Sequence, residues 1–143
     1  MTIHLIKLCV GAETLADLEA WRDKRSAMLA KAGEKGVHDH VTRMFPKRRD
    51  ELLAGGSLYW VIKRRILARQ EIVDLEEVTG ADGIARCRIV LDREIVPTEA
   101  QPRSAFQGWR YLKPEDAPPD RHGGGRGDAP AALRDELAEL GLL

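Results

Sequence analysis

Gly55-Gly56-Ser57-Leu58-Tyr59-Trp60-Val61-Ile62-Lys63-Arg64-Arg65 is the stretch whose reading decides the fold. From Ser57 to Lys63 the side chains alternate, with Leu58, Trp60 and Ile62 opposed to Tyr59, Val61 and Lys63, which is the period of a strand. A second extended run follows from Ile66 to Val78, placing Arg64-Arg65 at the turn between the two. Ala81-Asp82-Gly83 has the chemistry of a hairpin connection, and Ile84 to Leu91 alternates again. The expectation is an antiparallel meander of these consecutive strands. Just upstream, Pro46 suits the first turn of a short helix, where a missing amide hydrogen costs least. Gly55-Gly56 would end that helix, because glycine readily takes the left-handed conformation there. Phe45, Leu52 and Leu53 would pin it to the core.

Working outward, Ile3 to Val10 alternates with apolar residues on both sides and predicts an inner strand. Thr14 is a candidate N-cap with Asp17 three residues on. Leu15, Leu18, Trp21, Met28 and Leu29 follow at helical spacing, so a helix with one apolar stripe is expected to end near Gly33. Gly33 to His40 reads as a loop, and the segment through Pro97, Pro102, Phe106, Trp109 and Tyr111 as irregular chain lying across the sheet. Residues 116–128, rich in proline and glycine, read as a flexible linker after a single α+β domain spanning 1–115. Residues 129–143 read as an amphipathic helix whose Leu133, Leu137 and Leu140 would dock on the domain or grip a protein partner or second copy. The expected fold class is thus α+β: a mostly antiparallel sheet, open to closure into a barrel, with flanking helices and a C-terminal helix.

A chain of 143 residues with 43% hydrophobic and 32% charged composition is large enough for one core and too apolar to be disordered as a whole. Cys9 and Cys87 each sit in an apolar alternating run and read as buried free thiols, which fits a reducing cytoplasm. No signal-peptide pattern opens the sequence and no apolar run approaches the roughly 20 residues of a bilayer span, so no membrane is expected.

The formal net charge is zero, yet between Arg43 and Arg69 eight basic residues face only Asp50 and Glu51. Sorted charge creates a local field that the bulk charge conceals. Lys47, Arg48 and Arg49 fall in the first turn of the expected short helix, where unpaired N–H groups already carry partial positive charge and an anion would relieve the crowding. Lys63, Arg64 and Arg65 occupy the hairpin turn, and Arg43 precedes the helix. Arg103, Trp109 and Arg110 lie in a downstream segment whose mixture of arginines, amides and aromatics suits the lining of a site. The competing reading is a solvated surface balanced by Glu71, Asp74, Glu76, Glu77 and Asp82. Tyr59 and Trp109 are further candidates for base stacking, whereas Trp60, on the face of Leu58 and Ile62, reads as core.

Other signals are thinner. His38 and His40 share one side of an extended segment, but neither Cys-x-x-Cys nor His-Glu-x-x-His accompanies them, so neither a metal nor a cofactor is expected. His4 reads as a hydrogen-bonded core histidine. No set of nucleophile, base and acid is recognisable along the chain.

The runs His40-Val41-Thr42-Arg43-Met44-Phe45-Pro46-Lys47-Arg48, Gly55 to Lys63, and Gln101-Pro102-Arg103 through Phe106-Gln107-Gly108-Trp109-Arg110-Tyr111 resemble the signature of a small bacterial family of uncharacterised proteins. That resemblance implies no activity. In element order alone, a short helix ending in Gly-Gly before a meander is similar to the PUA and ASCH group of small RNA-binding β-barrels. The function expected is non-catalytic binding of RNA or another phosphate-bearing polyanion. The alternatives are a small enzyme acting on a nucleotide or phosphorylated metabolite, and a protein-interaction module using the last helix.

Overall fold

The meander is present and forms the centre of the molecule. In the computed structural model, which describes residues 1–121, β3 (Ser57–Ile62), β4 (Arg65–Thr79) and β5 (Ala85–Asp92) pair antiparallel in succession. To these are added β1 (His4–Leu8), β2 (Val37–Thr42), β6 (Val96–Pro102) and β7 (Trp109–Leu112), with helices α1 (Leu15–Lys31) and α2 (Arg49–Leu53) and a 3-10 turn at Pro114–Asp116. The strand order is β2-β5-β4-β3-β1-β7, and β6 joins the first half of β4. Among the described strands only β1 and β3 run parallel, so the fold is α+β with a mixed sheet. The sheet is open rather than barrel-like. β2 and β7 end the strand order without pairing each other, and the loop entering α2 lies against β7, where Lys47 and Arg48 donate their backbone N–H groups to the Tyr111 hydroxyl at 2.9 and 3.1 Å.

One face of the sheet buries Leu5, Leu58, Trp60, Leu67, Ile89 and Leu91 against Leu15 and Leu18 of α1 and Leu52 of α2; the other buries Ile6, Tyr59, Val61, Ile66 and Leu112. Thr14 caps α1 in a full capping box with Asp17, as its spacing predicts. The apolar stripe is narrower than expected, since Leu15, Leu18 and Leu29 are buried while Trp21 and Met28 are largely exposed. Cys9 and Cys87 are buried free thiols, with burial pushing Cys9 up to about 12 and Cys87 to about 11. Among the described residues, no helix is long and apolar enough to cross a membrane.

Several boundaries differ from expectation for identifiable reasons. The segment after Gly33, expected to be loop, contains β2, whose polar sequence Val-His-Asp-His-Val-Thr hides its burial. Asp39 on one face is held by Arg25 of α1 at 2.6 Å and Arg88 of β5 at 2.7 Å. The other face carries His38 to Gln70, which also accepts the Trp60 indole N–H at 2.9 Å. Burial alone would raise the Asp39 carboxyl, but those two guanidinium hydrogen bonds outweigh it and lower the pKa. The segment from 97 to 111 does not lie across the sheet; it supplies β6 and β7 within it. Tyr59 is buried and offers no stacking face. At the 116–121 end, Asp120 holds Arg69 through both carboxylate oxygens at 2.8 Å and Arg121 N–H donates to the Pro97 carbonyl at 2.9 Å. The C-terminal helix expected at 129–143, with Leu133, Leu137 and Leu140, lies outside the described residues.

Candidate anion-binding cleft

The cationic residues singled out in the sequence divide into two groups with different fates. The first, Arg48, Arg49 and Arg69, is ion-paired. α2 begins at Arg49, so Lys47 and Arg48 precede it. Their N–H groups, which would have to meet a phosphate, are already taken by Tyr111. Arg48 pairs through both nitrogens with Glu51, and Arg49 pairs with Asp74 at 2.8 Å and donates to the Leu75 carbonyl. At the expected helix-terminus site the Lys47 and Arg48 backbone donors are thus engaged by Tyr111, and the carboxylates of Glu51 and Asp74 meet the guanidinium groups. Arg69, at the end of the same basic block, is held by Asp120.

The second group keeps its charge. Arg43, Lys47, Lys63, Arg64, Arg103 and Arg110 form no ion pair with any described carboxylate. The turn between β3 and β4 consists of Lys63 and Arg64, one residue earlier than its expected position, and both are exposed with left-handed backbone at φ 51° and 64°. Arg103 donates its backbone N–H to the Arg64 carbonyl at 2.8 Å, which brings the downstream segment beside the turn. The Phe106 ring receives two guanidinium groups, Arg103 at 5.5 Å and Arg110 at 5.2 Å from its centroid. Arg65 begins β4 and pairs in register with Pro102, at the foot of this cluster.

Between the end of β2 and the start of β7 lies a cleft of about 650 Å³ lined by Lys7, Arg43, Arg86 and Arg110 together with Met44 and Trp109, and no carboxylate lines it. Trp109 is fixed in place by donating its indole N–H to the Met44 carbonyl at 2.8 Å and by an edge contact with Tyr111 at 4.9 Å. Arg86 is engaged with Asp82 at 2.7 Å, leaving Lys7, Arg43 and Arg110 as the cations without a carboxylate partner among the described residues. Desolvation lowers the Lys7 pKa, because a half-buried ammonium has lost part of its water without gaining an anion.

Lys7 and Arg86 are the site residues that sequence reasoning missed. Lys7 carried a readable signal: in the alternation of Ile3 to Val10 it falls on the side of Ile3, Leu5 and Cys9, and an inward lysine in an apolar strand calls for an explanation. The register supplies it, since Lys7 stands between Trp60 on β3 and Trp109 on β7, all three on one face.

A family model described as "Protein of unknown function (DUF1489)" matches residues 5–143, which takes in all three runs of the resemblance. The chain belongs to this family. No curated protein and no solved structure matches the chain, so the cleft of this DUF1489 member is read from its own residues. Among the described residues no group of three or more His, Cys, Asp or Glu side chains is arranged to hold a metal ion.

Proposed function

We propose that this protein binds RNA or another phosphate-bearing polyanion, without catalysis, through the cleft at Lys7, Arg43 and Arg110 and the adjoining cationic turn at Lys63 and Arg64. The observation that carries the reading is a concave site lined by four cations and no carboxylate. Guanidinium groups without partners satisfy phosphate oxygens by paired hydrogen bonds, and the aromatic face of Trp109 at the cleft wall suits stacking of an unpaired base. An enzymatic reading needs a carboxylate or histidine meeting the arginines, and neither lines the cleft.

The test is the salt dependence of affinity for mixed-sequence single-stranded RNA, followed by fluorescence anisotropy. Each phosphate contact contributes about 0.7 to the slope of log affinity against log salt. Replacing Arg43 and Arg110 together by alanine should reduce the slope by about 1.4, whereas replacing Arg48 and Arg49 should leave it nearly unchanged, since those two are already paired. Absent binding, or a slope governed by Arg48 and Arg49, would refute the reading.

A further inference from the structure

A second cavity of about 190 Å³ adjoins the cleft, and Lys7 belongs to the walls of both. Its remaining walls include Trp21 of α1, His38 and His40 of β2, and Trp60 of β3. His40 meets the Trp60 ring edge to face at 5.5 Å between centroids. Trp21 lies against the Gly11 turn, where φ is +87° and an added Cβ would come 3.4 Å from the ring.

The polar groups of this cavity are unspent. His38 uses Nδ1 on Gln70, while its Nε2, both ring nitrogens of His40 and the Lys7 ammonium have no hydrogen-bond partner among the described residues. These nitrogens are still reached by solvent, so a ligand in the cavity can take them as partners without breaking a hydrogen bond of the fold. Burial keeps both imidazoles neutral near pH 7, so each free edge can offer a donor or an acceptor, depending on tautomer.

We propose that this cavity receives the base of a nucleotide whose phosphate lies in the adjoining cleft, with Lys7 standing between base and phosphate. The inference rests on the phosphate-binding reading and adds the recognition element to it. A planar heterocycle covers the exposed ring of Trp21 and brings edge donors and acceptors to His40, which the buried Trp60 ring backs. An inorganic anion would leave the aromatic walls bare, and an aliphatic ligand would leave the imidazoles unpaired.

The test titrates the full chain with adenosine 5′-monophosphate, uridine 5′-monophosphate and ribose 5-phosphate, read by tryptophan fluorescence. The nucleotides should bind about tenfold more tightly than ribose 5-phosphate, the gain expected of one stacked base. His40→Leu should erase most of that advantage while leaving ribose 5-phosphate affinity unchanged. Trp21→Ala, at a helix position that is 43% exposed, should do the same. Equal affinity for nucleotide and sugar phosphate, or an advantage that survives both variants, would overturn the base cavity even if RNA binding keeps its salt dependence. Loss of the RNA interaction itself would be read in the anisotropy experiment and would strike the phosphate reading instead.

Discussion

Lys63 and Arg64 show at the scale of single residues what the site costs the fold. A two-residue turn with positive φ at both positions is the habitat of Asn-Gly, because a β-carbon in the left-handed region meets the following carbonyl. Two cations occupy it here, both exposed, so the turn gives up local stability and places charge beside Arg103. The double substitution Lys63→Asn with Arg64→Gly should raise stability by about 1 to 2 kcal/mol and weaken RNA binding. Thermal unfolding and anisotropy on the same variant check both; a variant less stable than the parent would contradict the strain argument. Gly56 shows the opposite logic, since a β-carbon there would come within 2.4 Å of the Ile3 and Leu52 carbonyl oxygens. The Gly-Gly pair reads in the sequence as a helix stop. Gly55 answers to that with φ +88°, whereas Gly56 is required by a close approach of backbone that no local pattern announces.

At the scale of elements, β2 determines how folding stability responds to pH. Its two histidines are turned toward Trp60 and Gln70, and His40 is pushed down to about 4 by burial first, then by Lys7 and His38, with Asp39 opposing. Burial likewise lowers His38. In the unfolded chain both imidazoles bind protons below about 6.5, so between that pH and about 4 the unfolded state holds more protons than the folded one. Stability is therefore complete above the unfolded value and declines as the solution is acidified, with His40 contributing a loss on the order of 3 kcal/mol by pH 4. Urea midpoints from pH 7 to 4.5 should fall accordingly, and His40→Leu should flatten the decline; an unchanged decline would place the sensitivity elsewhere. The meander, the inner strand and the capping box of α1 are legible in sequence, because each rests on local periodicity or local hydrogen bonding. β2, β6 and β7 are not, because their residues are polar or irregular in period, and their pairing partners lie far away in the chain.

At the scale of the whole molecule, the net charge of zero conceals a division of labour among the cations. Distant carboxylates decide it: Asp74 reaches Arg49 and Asp120 reaches Arg69 across separations that the sequence does not display as pairs. The candidate site was therefore legible in part. Arg43, Trp109 and Arg110 meet at the cleft, Lys63, Arg64 and Arg103 gather beside it, and Arg48 and Arg49 are removed from it by ion pairing. Lys7 joins only through the lateral register of β3, β1 and β7.

Binding in the cleft is tested most directly by an amide chemical-shift map of the isotope-labelled protein titrated with a short single-stranded RNA. Perturbations should concentrate at Lys7, at Val41 through Met44 and at Gln107 through Arg110, together with the Trp109 indole. Perturbations centred on Lys47 through Arg49 and Asp74, or none at saturating RNA, would contradict it.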